Sequence, residues 1–321
     1  MLFKGVNVQV VNGAGKTDSA NGTGNLIVGY DEADASATYR CTLGTNAGGS
    51  AGGSAIANQT DCLAAGAKWT NAGFKTGSHY LVVGPQNNYS RWGAAVIGVQ
   101  NTSNYDFAGV TGGTANTASG MHATVSGGYT NTASGRESAV SGGYTNNASG
   151  PNASVSGGDY NLASGDRASV SGGNTNTASG LSASVSGGAL NIASADYASV
   201  SGGAYGRASN SYASVSGGFV NSASGIYSSV SGGGFNLASG YASSASGGYR
   251  AQASGSYSSV SGGHGNTASA ASGSVSGGNG NTASAASGSV SGGQGCDTGT
   301  AAQQWVVGGS GTAGCSTTLK N

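Results

Sequence analysis

A short segment near the start of the chain matches part of a phosphate-binding loop. Gly13–Thr17 reads Gly-Ala-Gly-Lys-Thr, but the first glycine of the complete motif would fall on Val10. An apolar helix follows a true loop of this kind, whereas the next residues here are small and polar. The segment therefore predicts a turn between strands rather than a nucleotide site.

Two patterns typical of hydrolases are present, and each has a simpler interpretation. The string Gly48–Gly52 matches a nucleophile elbow, but its Gly/Ser-rich surroundings lack the strand-to-helix context that the elbow needs. A pair of carboxylates is the catalytic arrangement of most glycosidases and could support a glycan-cleaving solenoid. The acidic residues of the repeated region are Glu137, Asp159, Asp166 and Asp196. Arginines adjoin Glu137 and Asp166, which favours solvated ion pairs, so we expect no catalytic residues and no enzyme.

The four cysteines fall into two local pairs, Cys41 with Cys62 and Cys296 with Cys315. No histidine has metal-ligand spacing to them, and the aspartate column of calcium-binding repeats is absent, so we expect neither metal nor cofactor. Local pairs in a Gly/Ser-rich chain favour two disulfides and an oxidising compartment. Four unpaired thiols in a reducing compartment are the alternative.

Aromatic residues recur at two variable corners of the repeated region. One column holds the candidate binding residues Tyr197, Tyr212, Tyr227 and Tyr257, with Tyr241 beside it. The other corner holds Tyr129, Tyr144, Tyr160, Tyr205, Phe219, Phe235 and Tyr249. Exposed tyrosines suit glycans or hydrophobic partners, because the ring is large and rigid and ends in a polar group. The alternative, which we favour, is a stacking ladder between coils or chains.

A repeat of 15 residues positions these side chains. Valine recurs at this spacing from Val110 to Val290, with Ala245 as the single replacement. The unit reads Ser-Val-Ser-Gly-Gly-x-x-Asn-x-Ala-Ser-Gly-x-x-Ala/Ser. Alternation places Val on the inner face of one short strand and Asn and Ala on the inner face of a second. Glycine suits the two corners, and two strands with two corners predict one coil of an all-β, parallel β-solenoid.

The repeat divides the chain into three segments. Residues 1–80 contain N-terminal coils and an insertion with the first cysteine pair. Residues 81–295 form the solenoid array, and residues 296–321 form a closing segment with a last degenerate coil at Trp305.

Composition narrows the classes of function. Only 7% of residues are charged and the net charge is zero, which excludes a nucleic-acid partner because such proteins need a basic surface. No apolar run approaches the roughly 18 residues of a membrane helix, so we expect no direct membrane insertion. The first five residues precede no apolar signal region, so we expect a removed signal or a fragment of a longer protein.

Two segments at a spacing of 14 residues, Tyr80–Gly84 and Ala94–Gly98, read Tyr-Leu-Val-Val-Gly and Ala-Ala-Val-Ile-Gly. They resemble the haemagglutinin-type head repeats of trimeric autotransporter adhesins, and the array with its Ser-Val-Ser-Gly-Gly core resembles a 15-residue variant of that repeat. The resemblance implies a left-handed parallel β-roll, three chains per head, and attachment to surfaces or matrix. The sequence shows no heptad stalk, which favours a released fibre subunit or an excised head.

The thin core makes association with further copies the expected function. Burying one valine contributes about 1.5–3 kcal/mol. Ordering each residue of a coil costs roughly 1–2 kcal/mol of backbone entropy. We therefore expect an extracellular or cell-surface structural or adhesive protein that forms a homotrimer or a head-to-tail filament and contacts a host surface, a matrix or a glycan. The alternative is a ligand-binding solenoid for glycan or, through its serine ladders, for ice.

Overall fold

The computed structural model describes residues 10–15, 21–29, 39–42, 68–71, 75–308 and 315–319. The chain divides into two compact units, Met1–Glu137 and Ser138–Asn321. The described residues of both units form β-strands and no helix. The predicted all-β, parallel solenoid is confirmed. The predicted three-segment division stays a prediction.

The first unit contains a two-sheet parallel solenoid and a separate hairpin. One sheet pairs its strands in the order β1, β4, β6, β8 and β10, and the other pairs β5, β7 and β9, with β11 beside β9. The hairpin pairs β2 with β3 in antiparallel fashion. The strands are β1 (Leu26–Val28), β2 (Tyr39–Thr42), β3 (Lys68–Asn71), β4 (Ser78–Val83), β5 (Asn88–Tyr89), β6 (Trp92–Ile97), β7 (Thr102–Ser103), β8 (Gly109–Val110), β9 (Thr117–Ala118), β10 (Thr124–Val125) and β11 (Thr132–Ala133).

In the second unit, the first sheet contains the valine strands. They pair parallel and in register, so that Val155 lies beside Val170 and Val170 beside Val185. The strands are β12 (Ala139–Val140), β14 (Ser154–Val155), β16 (Ser169–Val170), β18 (Ser184–Val185), β20 (Ser199–Val200), β22 (Ser214–Val215), β24 (Ser229–Val230), β26 (Ser244–Ala245), β28 (Ser259–Val260), β30 (Ser274–Val275) and β32 (Ser289–Val290). Then β33 (Gln304–Val307) pairs parallel with β32, and β34 (Ser316–Leu319) pairs antiparallel with β33. The predicted last coil at Trp305 is thereby confirmed.

The second sheet of this unit contains the alanine strands, which are also parallel and in register. The strands are β13 (Asn147–Ala148), β15 (Leu162–Ala163), β17 (Thr177–Ala178), β19 (Ile192–Ala193), β21 (Arg207–Ala208), β23 (Ser222–Ala223), β25 (Leu237–Ala238), β27 (Gln252–Ala253), β29 (Thr267–Ala268) and β31 (Thr282–Ala283). Backbone N–H groups of each coil donate to carbonyls of the next, as from Ser154 to Ala168 and from Leu162 to Asn176.

The core of each coil is the narrow space between the two sheets. The valine column and the alanine column are fully buried, and the asparagine column is buried with them. The serines after each valine point outward and are exposed. The inward and outward faces predicted from the alternation are therefore confirmed.

Corner glycines are required where neighbouring coils approach closely. Gly173 has a positive φ of 87°, and a Cβ on it would meet the carbonyl oxygen of Gly188 at 2.1 Å. A side chain would both strain the backbone and push the coils apart. This second glycine of the Gly-Gly pair is therefore fixed by the fold itself.

Candidate functional site

The candidate tyrosines lie at a tight turn that closes each coil. The N–H of Ala198 donates to the carbonyl of Ala195 at 3.1 Å, and Tyr197 between them has a φ of 58°. Tyr212, Tyr227 and Tyr257 occupy the same position with φ of 58–60°. The same turn position has a positive φ in the other coils as well, including Ser182 and Ala242, so this conformation belongs to the turn and not to the tyrosine side chain.

The structure brings the four candidate residues together, and Tyr241 joins them. Tyr197 stacks on Tyr212 at a centroid distance of 4.9 Å and an interplanar angle of 5°. Tyr212 stacks on Tyr227 at 5.0 Å and 15°. Tyr241 makes edge contacts at 5.7 Å to Tyr227 and at 5.4 Å to Tyr257. These five residues form a continuous tyrosine ladder, which is the arrangement that we favoured from the sequence.

Stacking limits what the tyrosine ladder can bind. The faces of Tyr212 are covered by Tyr197 and Tyr227, so that a ligand reaches only ring edges and hydroxyls there. Tyr257, at one end of the ladder, is the most exposed of the five residues at 63%, whereas Tyr197, at the other end, is 48% exposed and is as buried as Tyr212. A binding role for Tyr197, Tyr212, Tyr227 and Tyr257 stays a prediction.

A second aromatic ladder lies at the other corner of the same coils. It contains edge contacts of 5.3–5.7 Å between successive rings and ends in a stacked pair at 5.3 Å. Its members are Tyr205, Phe219, Phe235, Tyr249 and His264. Arg250 lies over the ring of Tyr249 at 5.3 Å, a cation–π contact. Elsewhere at this corner, Tyr144 contacts Tyr160, and a hydrogen bond between the phenols raises the pKa of Tyr160.

Both ladders coincide with the weakest part of the core. Gly206 and Ala251 replace the asparagine of the repeat, and Ala245 replaces the valine. All three lie between Tyr197 and His264, the ends of the two ladders along the chain. Aromatic pairs contribute about 0.5–1.5 kcal/mol beyond their buried area. The two ladders therefore add stabilising aromatic contacts to the part of the solenoid whose interior has lost asparagine and valine side chains.

The asparagine column is a buried hydrogen-bonded ladder. In Asn161, the side-chain amide donates to the carbonyls of Gly157 and Gly173, both at 2.9 Å. Its Oδ1 accepts the backbone N–H of Asn176 at 2.9 Å. Each such side chain therefore links its own coil to the next, as expected for a structural column.

The C-terminal disulfide closes this ladder. Cys296 takes the asparagine position after Asn281, and its N–H donates to Asn281 Oδ1 at 2.9 Å. Cys296 is bonded to Cys315, so this predicted disulfide is confirmed. Cys41 lies on β2, but Cys62 and the pairing of the two lie outside the described residues.

The structure places the remaining candidate groups at turns and surfaces. Gly13 and Gly15 have positive φ, and the N–H of Ala14 donates to Asn12 Oδ1, as in a turn. Gly48–Gly52 lies outside the described residues. Arg136 and Glu137 form an exposed pair at 4.0 Å. In the part of the chain that is described, no three metal-ligating side chains cluster and no helix is long and apolar enough to span a membrane.

One surface feature was missed by the sequence reasoning. Trp305 lies beside Ser289 in the register of β32 and β33, and its indole N–H donates to Ser291 Oγ at 2.6 Å. A shallow groove lies next to it, lined by Ser287, Ser289, Gln303, Gln304 and Trp305. A tryptophan in a column of serines was the signal that could have indicated it.

Comparison with protein-family models gives no match, and comparison with curated proteins gives none either. The fold and its surfaces therefore carry the functional argument.

Proposed function

We propose that the chain is a non-enzymatic structural or adhesive element of the cell surface or extracellular space, and that it associates laterally with copies of itself. The observation that carries the proposal is a glycine column that the fold does not require. The column is the first glycine of each Gly-Gly pair. It runs through Gly142, Gly157, Gly172, Gly187, Gly202, Gly217, Gly232, Gly247, Gly262 and Gly277.

These ten described glycines differ from their neighbours in what surrounds them. A Cβ on any of them would meet no atom within 4 Å, and none has a positive φ. Replacing glycine by alanine at such a position stabilises a protein by about 0.4–1 kcal/mol, because the unfolded chain loses freedom. The column is nevertheless glycine in every coil, whereas the exposed corner positions two and three residues later vary freely. Contact of this column with another molecule explains why glycine is retained there while the corner positions vary.

The surface around this column suits a second, identical surface. Two serine columns flank the valines, and these columns with the glycines contain no charge from Ser154 to Gly292. We call this surface the serine–glycine face. Serine hydroxyls both donate and accept hydrogen bonds, so that the serines of two copies can pair with each other. Because the face has no charged side chain, its burial would not remove an ion from water. Glycine permits close approach of the two backbones.

The size of the face fits a modest specific interface. Ten coils are separated by nine spacings of about 4.8 Å, which gives a length of roughly 43 Å, and three residues of strand give a width of roughly 10 Å. Two copies would bury on the order of 1,000 Å² in total, near the lower bound of specific interfaces. Three copies around one axis would bury more, which supports the trimer that the resemblance to adhesin heads implies.

The disulfide supports an oxidising location. Disulfides persist in secreted and surface proteins and are rare in reducing compartments. Cys296–Cys315 ties the end of the buried asparagine ladder to the closing strand. The disulfide therefore supports the proposed location at the cell surface or in the extracellular space.

Sedimentation of matched variants tests the proposal. The double variant Gly187→Leu and Gly202→Leu places side chains into open space on the serine–glycine face, so it should fold and remain monomeric. Ala189→Leu with Ala204→Leu is the control, because the same corner column already holds Phe219 and Tyr249. Unmodified protein and control should associate at low micromolar concentration. Association of the glycine variant to the same extent would exclude this face as the interface.

A ligand-binding module is the second candidate, and the exposed ring of Tyr257 at the end of the tyrosine ladder favours it. Replacing Tyr197 and Tyr257 by serine should then abolish binding to a glycan array while the fold is retained. Thermal hysteresis of the unmodified protein tests ice binding directly, and its absence would remove that form of the candidate.

A further inference from the structure

The groove beside Trp305 lies on the last coil of the second unit and has a volume of about 460 Å³. The register of β32 and β33 places Trp305 next to Ser289, and the N–H of Gln303 donates to the carbonyl of Ala286 at 2.8 Å. These backbone bonds hold the Gln303–Trp305 segment against the preceding coil. The groove is therefore formed by paired backbone and not by a free loop.

The fold does not account for a tryptophan at this place. The equivalent residue is serine in each of the ten coils from Ser154 to Ser289. Trp305 points outward and is 42% exposed, while the next residue, Val306, is fully buried and completes the core. The indole is therefore a surface feature added to the last coil.

The indole is held in one orientation by a hydrogen bond. Its Nε1 donates to Ser291 Oγ at 2.6 Å, which ties the ring to the preceding coil. A ring fixed before a ligand arrives loses little freedom on binding, and this improves the affinity of a small site.

The chemistry of the lining selects a neutral, hydroxyl-rich ligand. Two amides, from Gln303 and Gln304, and two hydroxyls, from Ser287 and Ser289, surround the indole. Between residues 287 and 308 the single charged residue is Asp297, and its carboxylate already accepts from Ser284 and from the N–H of Gly299. We propose that this groove binds one or two units of a neutral saccharide, with a sugar ring packed on the indole and its hydroxyls bonded to the amides and serines.

This site is separate from the tyrosine ladder and from the self-association described above. In the ladder, stacked neighbours cover the inner rings, whereas Trp305 offers an aromatic side chain beside convergent polar groups. The groove gives the chain a contact to a glycan matrix at the C-terminal end of its solenoid, whatever the serine–glycine face binds.

Titration with uncharged oligosaccharides tests the proposal. Cello-, chito-, malto- and manno-hexaose are added to the full chain while tryptophan fluorescence and the heat of binding are measured. At least one of them should bind with a Kd of about 1 mM or better, as expected for a single aromatic subsite. The indole emission should shift on binding.

Two variants make the result decisive. Trp305→Ser restores the residue of the other coils, so it should fold, and it should weaken binding at least tenfold. Trp92→Phe alters a tryptophan that packs on Phe107 in the other unit and should leave binding unchanged. Absence of binding by all four sugars, or binding that survives Trp305→Ser, would overturn the proposal.

Discussion

The side-chain oxygen of Asn161 accepts the backbone N–H of Asn176 at 2.9 Å, and the same relation joins Asn176 to Asn191 at 3.0 Å. Each side-chain amide also donates to two backbone carbonyls, as in Asn161. These hydrogen bonds make the asparagine column a polar interior for the second unit. Buried polar groups stabilise a core only when they are fully paired. The ladder meets this condition wherever asparagine is retained.

Ala251→Asn should therefore stabilise the protein. Ala251 removes the side-chain acceptor for Asn266 N–H, and an asparagine there would regain three hydrogen bonds of the kind that Asn161 makes. Each hydrogen bond adds about 0.5–1.5 kcal/mol net, so we expect a gain of roughly 1–3 kcal/mol after the entropy of ordering the side chain. Denaturant unfolding measures the change. Ala251→Leu, of similar size without hydrogen bonds, is the control, and an equal gain for leucine would contradict the account.

Val185→Asp should abolish folding of the second unit. Val185 is 1% exposed, and a carboxylate there would be buried without a partner. Leu190→Asp places the same group at a corner that is 38% exposed and should cost less than about 1 kcal/mol. Circular dichroism and thermal unfolding compare the two. Equal losses would mean that the inward face is wrongly assigned.

Tyr212→Ser should lower the stability of the protein, because the variant lacks the ring contacts that Tyr212 makes with Tyr197 and Tyr227. Two aromatic pairs of about 0.5–1.5 kcal/mol each predict a loss of roughly 1–3 kcal/mol. Serine fits the turn, since Ser182 adopts the same positive φ. Tyr212→Phe should retain the stability. If Tyr212→Ser leaves the midpoint of thermal unfolding unchanged, the ladder has no structural role.

Alkaline pH should destabilise the first unit through Tyr80. Burial raises the pKa of Tyr80 above its usual value of 10.0, and its hydroxyl donates to the carbonyl of Ser90 at 2.8 Å. Because the folded pKa is raised, the contribution is complete below about pH 10 and is lost as the pH rises through the folded pKa. Tyr80→Phe should be less stable at pH 7 and show a shallower loss of stability above about pH 10. Tyr105→Phe, at an exposed ring, should keep the full loss in thermal scans against pH.

Recurrence in the sequence was sufficient to predict the solenoid, because each inward column repeats the same requirement many times. The structural role of Asn161 and the stacking of Tyr197 on Tyr212 follow from the same regularity. The positive φ of Tyr197 was not predictable, since no coil has glycine at that position. The groove at Trp305 was missed because it lies in the closing segment, where no second copy shows which residues the fold requires.

The most direct test of lateral association is the alkylation rate of a single cysteine on the serine–glycine face. Ser201→Cys exchanges one atom at an exposed site next to β20, and Ser209→Cys exchanges one atom at a partly exposed site next to β21 of the opposite sheet. Mass spectrometry of the labelled peptides follows both thiols across a dilution series from submicromolar to tens of micromolar. The account predicts that labelling of Ser201→Cys slows as the protein associates, while labelling of Ser209→Cys keeps its rate. A labelling rate of Ser201→Cys that does not change with protein concentration would contradict it.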